Sequence, residues 1–297
     1  MEGMNVAARA LYALLWLVGR LPLRALHSVG DAIAWTVRVT GRREARVTRR
    51  NLELAFPALD GRQREVLLRD TLRATGRTLT ETCRFWTRPA PANLTLVREV
   101  LGADLLDAAQ SAKTGVIIAA PHLGNWELLN QWLAARAPLA IIYRPPRKVW
   151  LEDLLRRARG HANVTQVRAE AAGVRELFRT LKHGGSVGIL PDQQPKRGDG
   201  EFANYFGVNA LTMTLLPRLA HKTGARVLFG WAERLPDSEG FRIRLTPAPQ
   251  DIADADTLRA VAALNAGVEA CVRLAPAQYQ WGYKRYSIRP PGEVKLY

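Results

Sequence analysis

Between residues 115 and 190 short apolar runs alternate with segments whose apolar residues recur at helical spacing, and this alternation limits the fold more than any other feature. The runs at 115–120, 139–143, 164–167 and 186–190 have strand length. The segments at 126–137, 150–159 and 171–183 have helix length. Strand–helix alternation with uninterrupted apolar strands predicts a mostly parallel central sheet covered by helices. Upstream, residues 62–86 place Val66, Leu67, Leu72, Leu79 and Phe85 at helical spacing until Pro89 and Pro91 end the pattern, and a short helix is expected at 102–110. Downstream, a helix is expected at 212–223, with Pro217 an awkward member. Runs at 226–233 and 241–245, joined by Pro236-Asp237-Ser238-Glu239-Gly240, read as an antiparallel pair, and a last helix is expected at 256–274. No internal repeat or linker divides the chain. The expectation is one α/β domain over residues 51–297, preceded by a helical module at 1–50.

That module is apolar without being a clean membrane span. Residues 11–18 and 25–39 are two short apolar segments flanked by arginines and broken by Arg20, Pro22, Arg24 and Asp31. A transmembrane helix needs about 20 apolar residues, and no small-residue cleavage site follows as in a signal peptide. With Tyr12 and Trp16 at the apolar stretch, the segments read as an interfacial hairpin or amphipathic anchor. A pair of ordinary packing helices is the alternative. Arg42, Arg43, Arg46, Arg49 and Arg50 follow, as a polybasic segment beside anionic headgroups would or as a solvated helix face.

The net charge of +16 points to anionic partners. Of the 43 basic residues 36 are arginine. No helix-turn-helix, zinc-finger or RNP motif accompanies the charge, so a membrane surface or an acidic partner is expected rather than nucleic acid. Cys83 and Cys271 are too far apart in sequence to suggest a disulfide framework, and no metal-ligand spacing is seen; neither metal nor cofactor is expected.

The most specific motif is Pro121-His122-Leu123-Gly124-Asn125-Trp126-Glu127. It follows the apolar run at 115–120, with Gly124 a breaker and Asn125 an N-cap type. His122 therefore falls in a turn at the carboxyl end of a strand, with Glu127 in the first helical turn behind it. On one continuous helix a spacing of five would part the side chains by about 140°; from the turn, Glu127 can reach back to His122. A carboxylate beside an imidazole fixes its tautomer and makes a general base. A turn histidine and a glutamate that merely favours the helix dipole is the alternative. Two further strand ends carry polar groups, Tyr143-Arg144-Pro145 and Pro191-Asp192-Gln193, where open α/β sheets build their sites.

Pro-His-x-Gly-Asn-Trp-Glu in a strand–turn–helix resembles the lipid A late acyltransferases, the lauroyl and myristoyl transferases of lipopolysaccharide assembly, within the wider glycerolipid acyltransferases with their His-x4-Asp/Glu motif. The resemblance spans roughly residues 49–292. Tyr143-Arg144-Pro145 matches a second family block, with Arg159 at the place of another arginine, and Pro191-Asp192-Gln193 a third. Phe202 to Gly207 matches an aromatic-Gly block, although Asn204 and Tyr205 replace the usual Pro-Phe. Residues 278–285 match a C-terminal block ending in a basic pair, Lys284 and Arg285.

The resemblance implies a glycerolipid-acyltransferase-like fold at the cytoplasmic face of the bacterial inner membrane. It implies transfer of an acyl chain from acyl carrier protein to a hydroxyl of an anionic glycolipid acceptor, a lipid A precursor. His122 would then be the base and Glu127 its orienting partner, with free N–H groups of the following helix near the reacting carbonyl. Arg144 and Arg159 would bind acceptor phosphate or support the oxyanion, and Asp192 would order the arginines or the acceptor sugar. Two other readings stay open: an acyltransferase using acyl-CoA on another glycolipid, such as a mannosylated phosphoinositide, and a non-catalytic basic peripheral membrane protein.

Overall fold

The computed structural model describes residues 6–143, 145–146, 149–160 and 163–297. Four helices come first: α1 (Val6–Gly19), α2 (Leu23–Val39), α3 (Arg43–Ala55) and α4 (Gly61–Thr87). The short α5 (Ala90–Leu94), strand β1 (Val97–Leu101) and α6 (Ala103–Ser111) follow. The alternating part then runs β2 (Val116–Ala119), α7 (Trp126–Arg136), β3 (Leu139–Tyr143), α8 (Val149–Ala158), β4 (Val164–Arg168), α9 (Ala171–Lys182) and β5 (Ser186–Ile189). It is followed by β6 (Gly200–Tyr205), β7 (Val208–Met213), α10 (Leu215–Thr223), β8 (Arg226–Arg234), β9 (Phe241–Pro247) and α11 (Thr257–Leu274).

The seven-stranded sheet has the order β1-β9-β8-β2-β5-β3-β4. β8, β2, β5, β3 and β4 run parallel, whereas β9 pairs antiparallel with β8 and parallel with β1. The expected mostly parallel α/β sheet is therefore present, with its antiparallel pair at 226–234 and 241–247. β2 lies in the middle and is buried along its whole length. Its side chains alternate between two cores, as a strand's period of two requires. Ile117 and Ala119 join Leu177, Leu219 and Leu264 of α9, α10 and α11. Val116 and Ile118 join Leu106, Leu128 and Trp132 of α6 and α7 on the other face.

The helix expected at 212–223 is shorter than the sequence suggested. Residues 208–213 form β7, paired with β6 in an antiparallel hairpin. Phe206 and Gly207 turn it with φ of 50° and 77°, the two left-handed positions of a tight hairpin turn. Asn204 accepts the Gly207 N–H at 3.0 Å. Pro217 then falls in the first turn of α10, where its missing N–H costs little. The arginine-rich segment is α3, whose Ala45, Thr48, Leu52 and Ala55 form a buried stripe at helical spacing while Arg42, Arg43, Arg46 and Arg49 stay exposed.

α1 and α2 pack on α4. α2 turns Leu23, Leu26, His27, Gly30 and Ala34 inward. It crosses α4 at backbone contact: a Cβ on Gly76 would lie 2.1 Å from the Gly30 carbonyl oxygen. Its other side exposes Val29, Ile33, Trp35 and Val39, and α1 exposes Leu14, Trp16 and Leu17. Trp35 is 65 % exposed, more than a solvated surface usually offers a tryptophan. Among the described residues no helix is long and apolar enough to cross a membrane.

Candidate active site

β2 and β5 are parallel neighbours in which Ala119 stands beside Ile189. Three residues beyond each, the chains reach His122 and Asp192. Equal offsets from a matched pair bring the two side chains together. His122 Nδ1 lies 2.8 Å from Asp192 Oδ1, and the His122 backbone N–H donates to Oδ2 at 2.9 Å. A carboxylate can only accept, so Nδ1 carries a proton, and in the neutral ring Nε2 then holds the lone pair. Burial pushes the Asp192 carboxyl up, but the imidazole's charge and the hydrogen bonds from the His122 ring and backbone outweigh it and hold the carboxyl below its ordinary value. Nε2 accepts from the Gln193 side-chain amide at 3.2 Å. The Trp126 ring stands edge-on to the imidazole, centroids 4.9 Å apart.

The turn that carries His122 is fixed from several sides. Gly124 adopts φ of 60°, and a Cβ there would lie 2.0 Å from the Ala232 carbonyl oxygen, so only glycine fits. The Gly124 and Asn125 N–H groups donate to the Gln278 and Ala232 carbonyls at 3.1 and 2.9 Å. Gln280 N–H donates to the His122 carbonyl at 3.0 Å. The C-terminal block thus wraps the turn, with Tyr279 and Trp281 buried in the core. Arg285 of its basic pair is also buried and donates to Leu211 O and Thr212 Oγ1 at 2.6 and 2.8 Å, anchoring the β6–β7 hairpin.

Glu127 departs from its expected contact. It is buried, and Arg159, one residue past α8, reaches it with Nε at 3.0 Å and Nη2 at 2.5 Å. Burial opposes the Arg159 charge, but attraction and hydrogen bonding from Glu127 outweigh it and raise the guanidinium pKa. The imidazole's partner is therefore Asp192, and Glu127 holds an arginine. The physical reason is reach and register: α7 carries Glu127 towards α8, while β2–β5 pairing delivers Asp192 to the ring. The expected free N–H groups of α7 are also partly used, because Asn125 Oδ1 accepts from Glu127 N and Leu128 N at 3.2 and 3.4 Å. Arg144 lies outside the described residues.

Asn125 is itself held from behind. Its side-chain amide donates at 3.0 Å to Glu81 Oε2 on α4. Glu81 is fully buried and also takes Arg234 Nη2 at 2.6 Å and His27 Nε2 at 2.7 Å. This cluster was not read from the sequence, and Gln193, named there in the Pro191-Asp192-Gln193 strand end, was given no role.

His122, Trp126, Arg159 and Gln193 open onto a cleft of about 1460 Å³ at the carboxyl ends of β2, β5 and β3. Its apolar wall comes from Ile141, Ile142, Val174, Phe178, Ile189 and Met213. The arrangement offers a histidine lone pair, a charged donor and an apolar channel in one space.

Known proteins are similar to this chain in sequence over most of their length. The bacterial lipid A biosynthesis acyltransferase family model matches residues 6–287. A lipid A biosynthesis palmitoleoyltransferase of Escherichia coli strain K12 is 31 % identical over 284 residues, covering 95 % of this chain and 92 % of the relative. The lauroyltransferase of the same organism is 27 % identical, again over 95 % and 92 %. A lipid A biosynthesis acyltransferase of Haemophilus influenzae is 26 % identical over 91 % and 86 %. With the family match spanning nearly the full chain and the site built at the strand ends, this protein belongs to the bacterial lipid A biosynthesis acyltransferases.

Proposed function

We propose that the protein transfers a fatty acyl chain from acyl carrier protein to a hydroxyl of a lipid A precursor, an anionic glycolipid, with His122 as general base. The observation that carries this reading is the His122–Asp192 pair, whose Nε2 lone pair faces the cleft. In the proposed step Nε2 removes the acceptor hydroxyl proton as the oxygen attacks the thioester carbonyl. The C–O bond forms and a tetrahedral oxyanion results. Its collapse breaks the C–S bond, and the imidazolium returns the proton to the departing sulfur. Such base catalysis contributes on the order of 10²–10⁴ in rate. Asp192 holds the tautomer and stabilises the imidazolium. Arg159, oriented by Glu127, offers the positive charge for the oxyanion or an acceptor phosphate. The apolar wall takes the chain, at about 0.8 kcal/mol for each buried CH₂.

The exposed apolar faces of α1 and α2 beside the arginines of α3 support membrane association. We place the protein at the cytoplasmic face of the bacterial inner membrane, where residues 1–50 meet the bilayer and residues 51–297 carry the transfer. The test is an assay with acyl-carrier donors and a tetra-acylated acceptor, read by product mass. Acceptor gains the mass of one acyl group with the wild type and none with His122→Ala. Acyl transfer from acyl-CoA alone, with none from the carrier, would contradict the donor assignment.

A further inference from the structure

Several exposed arginines outside the cleft are held by an acidic neighbour: Arg38 by Glu65, Arg73 by Asp31 and Arg136 by Asp107. At the mouth of the cleft cations cluster. Arg175, Arg179 and Lys182 of α9, Lys196 of the loop after β5, and Arg218 and Lys222 of α10 line it, and all are exposed. Glu170 and Asp199 are the acidic residues on the same lining. Arg179 pairs with Glu176, and Lys182 lies 5.8 Å from the Phe178 ring centre. Among the described residues Arg175, Lys196, Arg218 and Lys222 make no ion pair. These six cations against two carboxylates on this lining leave the mouth net positive, which raises the local potential and draws in an anionic partner.

The geometry gives the partner a shape. Arg175, Arg179 and Lys182 are spaced four and three residues apart, so they share one face of α9; Arg218 and Lys222, four apart, share one face of α10. The two helices pack on each other, which sets the two basic rows side by side. Val174, Phe178 and Leu219 of the same helices line the cleft, so the basic rows border an apolar entrance that continues to His122. α1 and α2, with their exposed apolar faces, pack instead on α4. The basic rows are therefore carried by a different layer from the proposed membrane surface.

We propose that the α9–α10 rim is the docking face for the acidic carrier protein that presents the acyl thioester. This rests on the proposed carrier-bound donor. A carrier seated there delivers its thioester into the cleft from the water side, and the acyl chain passes along Val174 and Phe178 while the carrier's acidic surface meets the basic rows.

The test uses the full chain with Arg175→Glu, Arg218→Glu and Lys222→Glu combined, and the same three positions changed to Gln. Donor kinetics are measured with lauroyl-loaded acyl carrier protein and with lauroyl-CoA, and binding to phosphatidylglycerol-containing vesicles is measured in parallel. The expected result is a KM for the carrier donor raised on the order of tenfold or more, with kcat within about twofold and a smaller rise in the Gln variant. The defect shrinks as salt weakens the wild type's own attraction. Vesicle binding stays at the wild-type level, and a carrier with lysine replacing a surface acidic residue recovers part of the loss on the Glu variant. Unchanged carrier KM in a folded variant overturns the docking face while leaving the donor assignment intact. Lost vesicle binding with unchanged carrier KM assigns the rim to lipid headgroups instead. A wild type that turns over lauroyl-CoA but no carrier donor removes the donor assignment, and the docking face with it.

Discussion

Two histidines of this protein sit against carboxylates at nearly the same distance, and their surroundings give them opposite characters. His27 Nε2 lies 2.7 Å from Glu81 and His122 Nδ1 lies 2.8 Å from Asp192. Both nitrogens of His27 are occupied, the second by Ser238 Oγ at 2.7 Å, and its side chain is 3 % exposed. Glu81 is further neutralised by Arg234. His122 is 12 % exposed, and its second nitrogen accepts from the Gln193 side-chain amide at the cleft wall. A histidine–carboxylate contact by itself thus says little about chemistry. A far nitrogen at the wall of a cleft large enough for a substrate makes the difference.

The sharpest way to break this contrast is to remove each ring in turn. His122→Ala is expected to lose about 10²–10⁴ or more of kcat while melting close to the wild type. His27→Ala is expected to do the reverse, keeping kcat within several-fold of the wild type while its melting temperature falls, because it removes one partner of a buried carboxylate. Initial rates and thermal melts of the two variants check both halves. Similar activity losses in both would erase the distinction.

Glu81 sharpens it further. Breaking a buried ion pair from one side costs about 3–5 kcal/mol, so Glu81→Gln is expected to be markedly destabilised. Burial raises the Glu81 carboxyl, but Arg234 and His27 outweigh it and lower the pKa from 4.5 to about 2. A depressed folded-state pKa gives a contribution that is whole above the unfolded value and is lost as pH falls through the folded one. The stability gap between wild type and Glu81→Gln should therefore be full at neutral pH and narrow as pH falls from about 4.5 towards about 2. Urea denaturation across that range measures it; a gap constant with pH would contradict the assignment.

The second carboxylate of the site belongs between these extremes. Glu127→Gln keeps a hydrogen bond to Arg159 and loses the charge, so a loss of roughly tenfold in activity is expected, well short of His122→Ala. Arg159→Lys should recover less than wild-type activity because an ammonium lacks the planar fork. A rise in acceptor KM would place Arg159 on a phosphate, and a fall in kcat would place it on the oxyanion. The smallest effect is expected at the surface: Arg38→Ala, which breaks an exposed pair with Glu65, should change stability by no more than about 1 kcal/mol.

These contrasts also mark where sequence reading ends. The strands at 116–119, 139–143 and 186–189 were legible because buried parallel strands leave uninterrupted apolar runs. His122 was legible because a glycine and an N-cap residue bracket its turn. Its partner was not, because Asp192 arrives from another strand and the contact depends on register. A signal was nonetheless present: both strands are followed by a proline and then a titratable residue, Pro121-His122 and Pro191-Asp192, at equal distance from their ends. Sequence proximity favoured Glu127, and three-dimensional proximity favours Asp192. The β6–β7 hairpin was missed because its turn places Phe206, a residue rarely found with positive φ, where Asn or Gly is usual. The Glu81 cluster draws on α2, α4, α7 and β8, and no local pattern joins His27, Glu81, Asn125 and Arg234.

A double-mutant cycle measures whether His122 and Asp192 act as one unit. Single-turnover acyl transfer is measured for wild type, His122→Ala, Asp192→Asn and the double variant. Asp192→Asn alone should lose about 10² or more, because the amide no longer fixes the tautomer or stabilises the imidazolium. In the His122→Ala background the same change should cost almost nothing, since the group it serves is gone. Equal losses from Asp192→Asn in both backgrounds, or full activity in Asp192→Asn alone, would show that they do not.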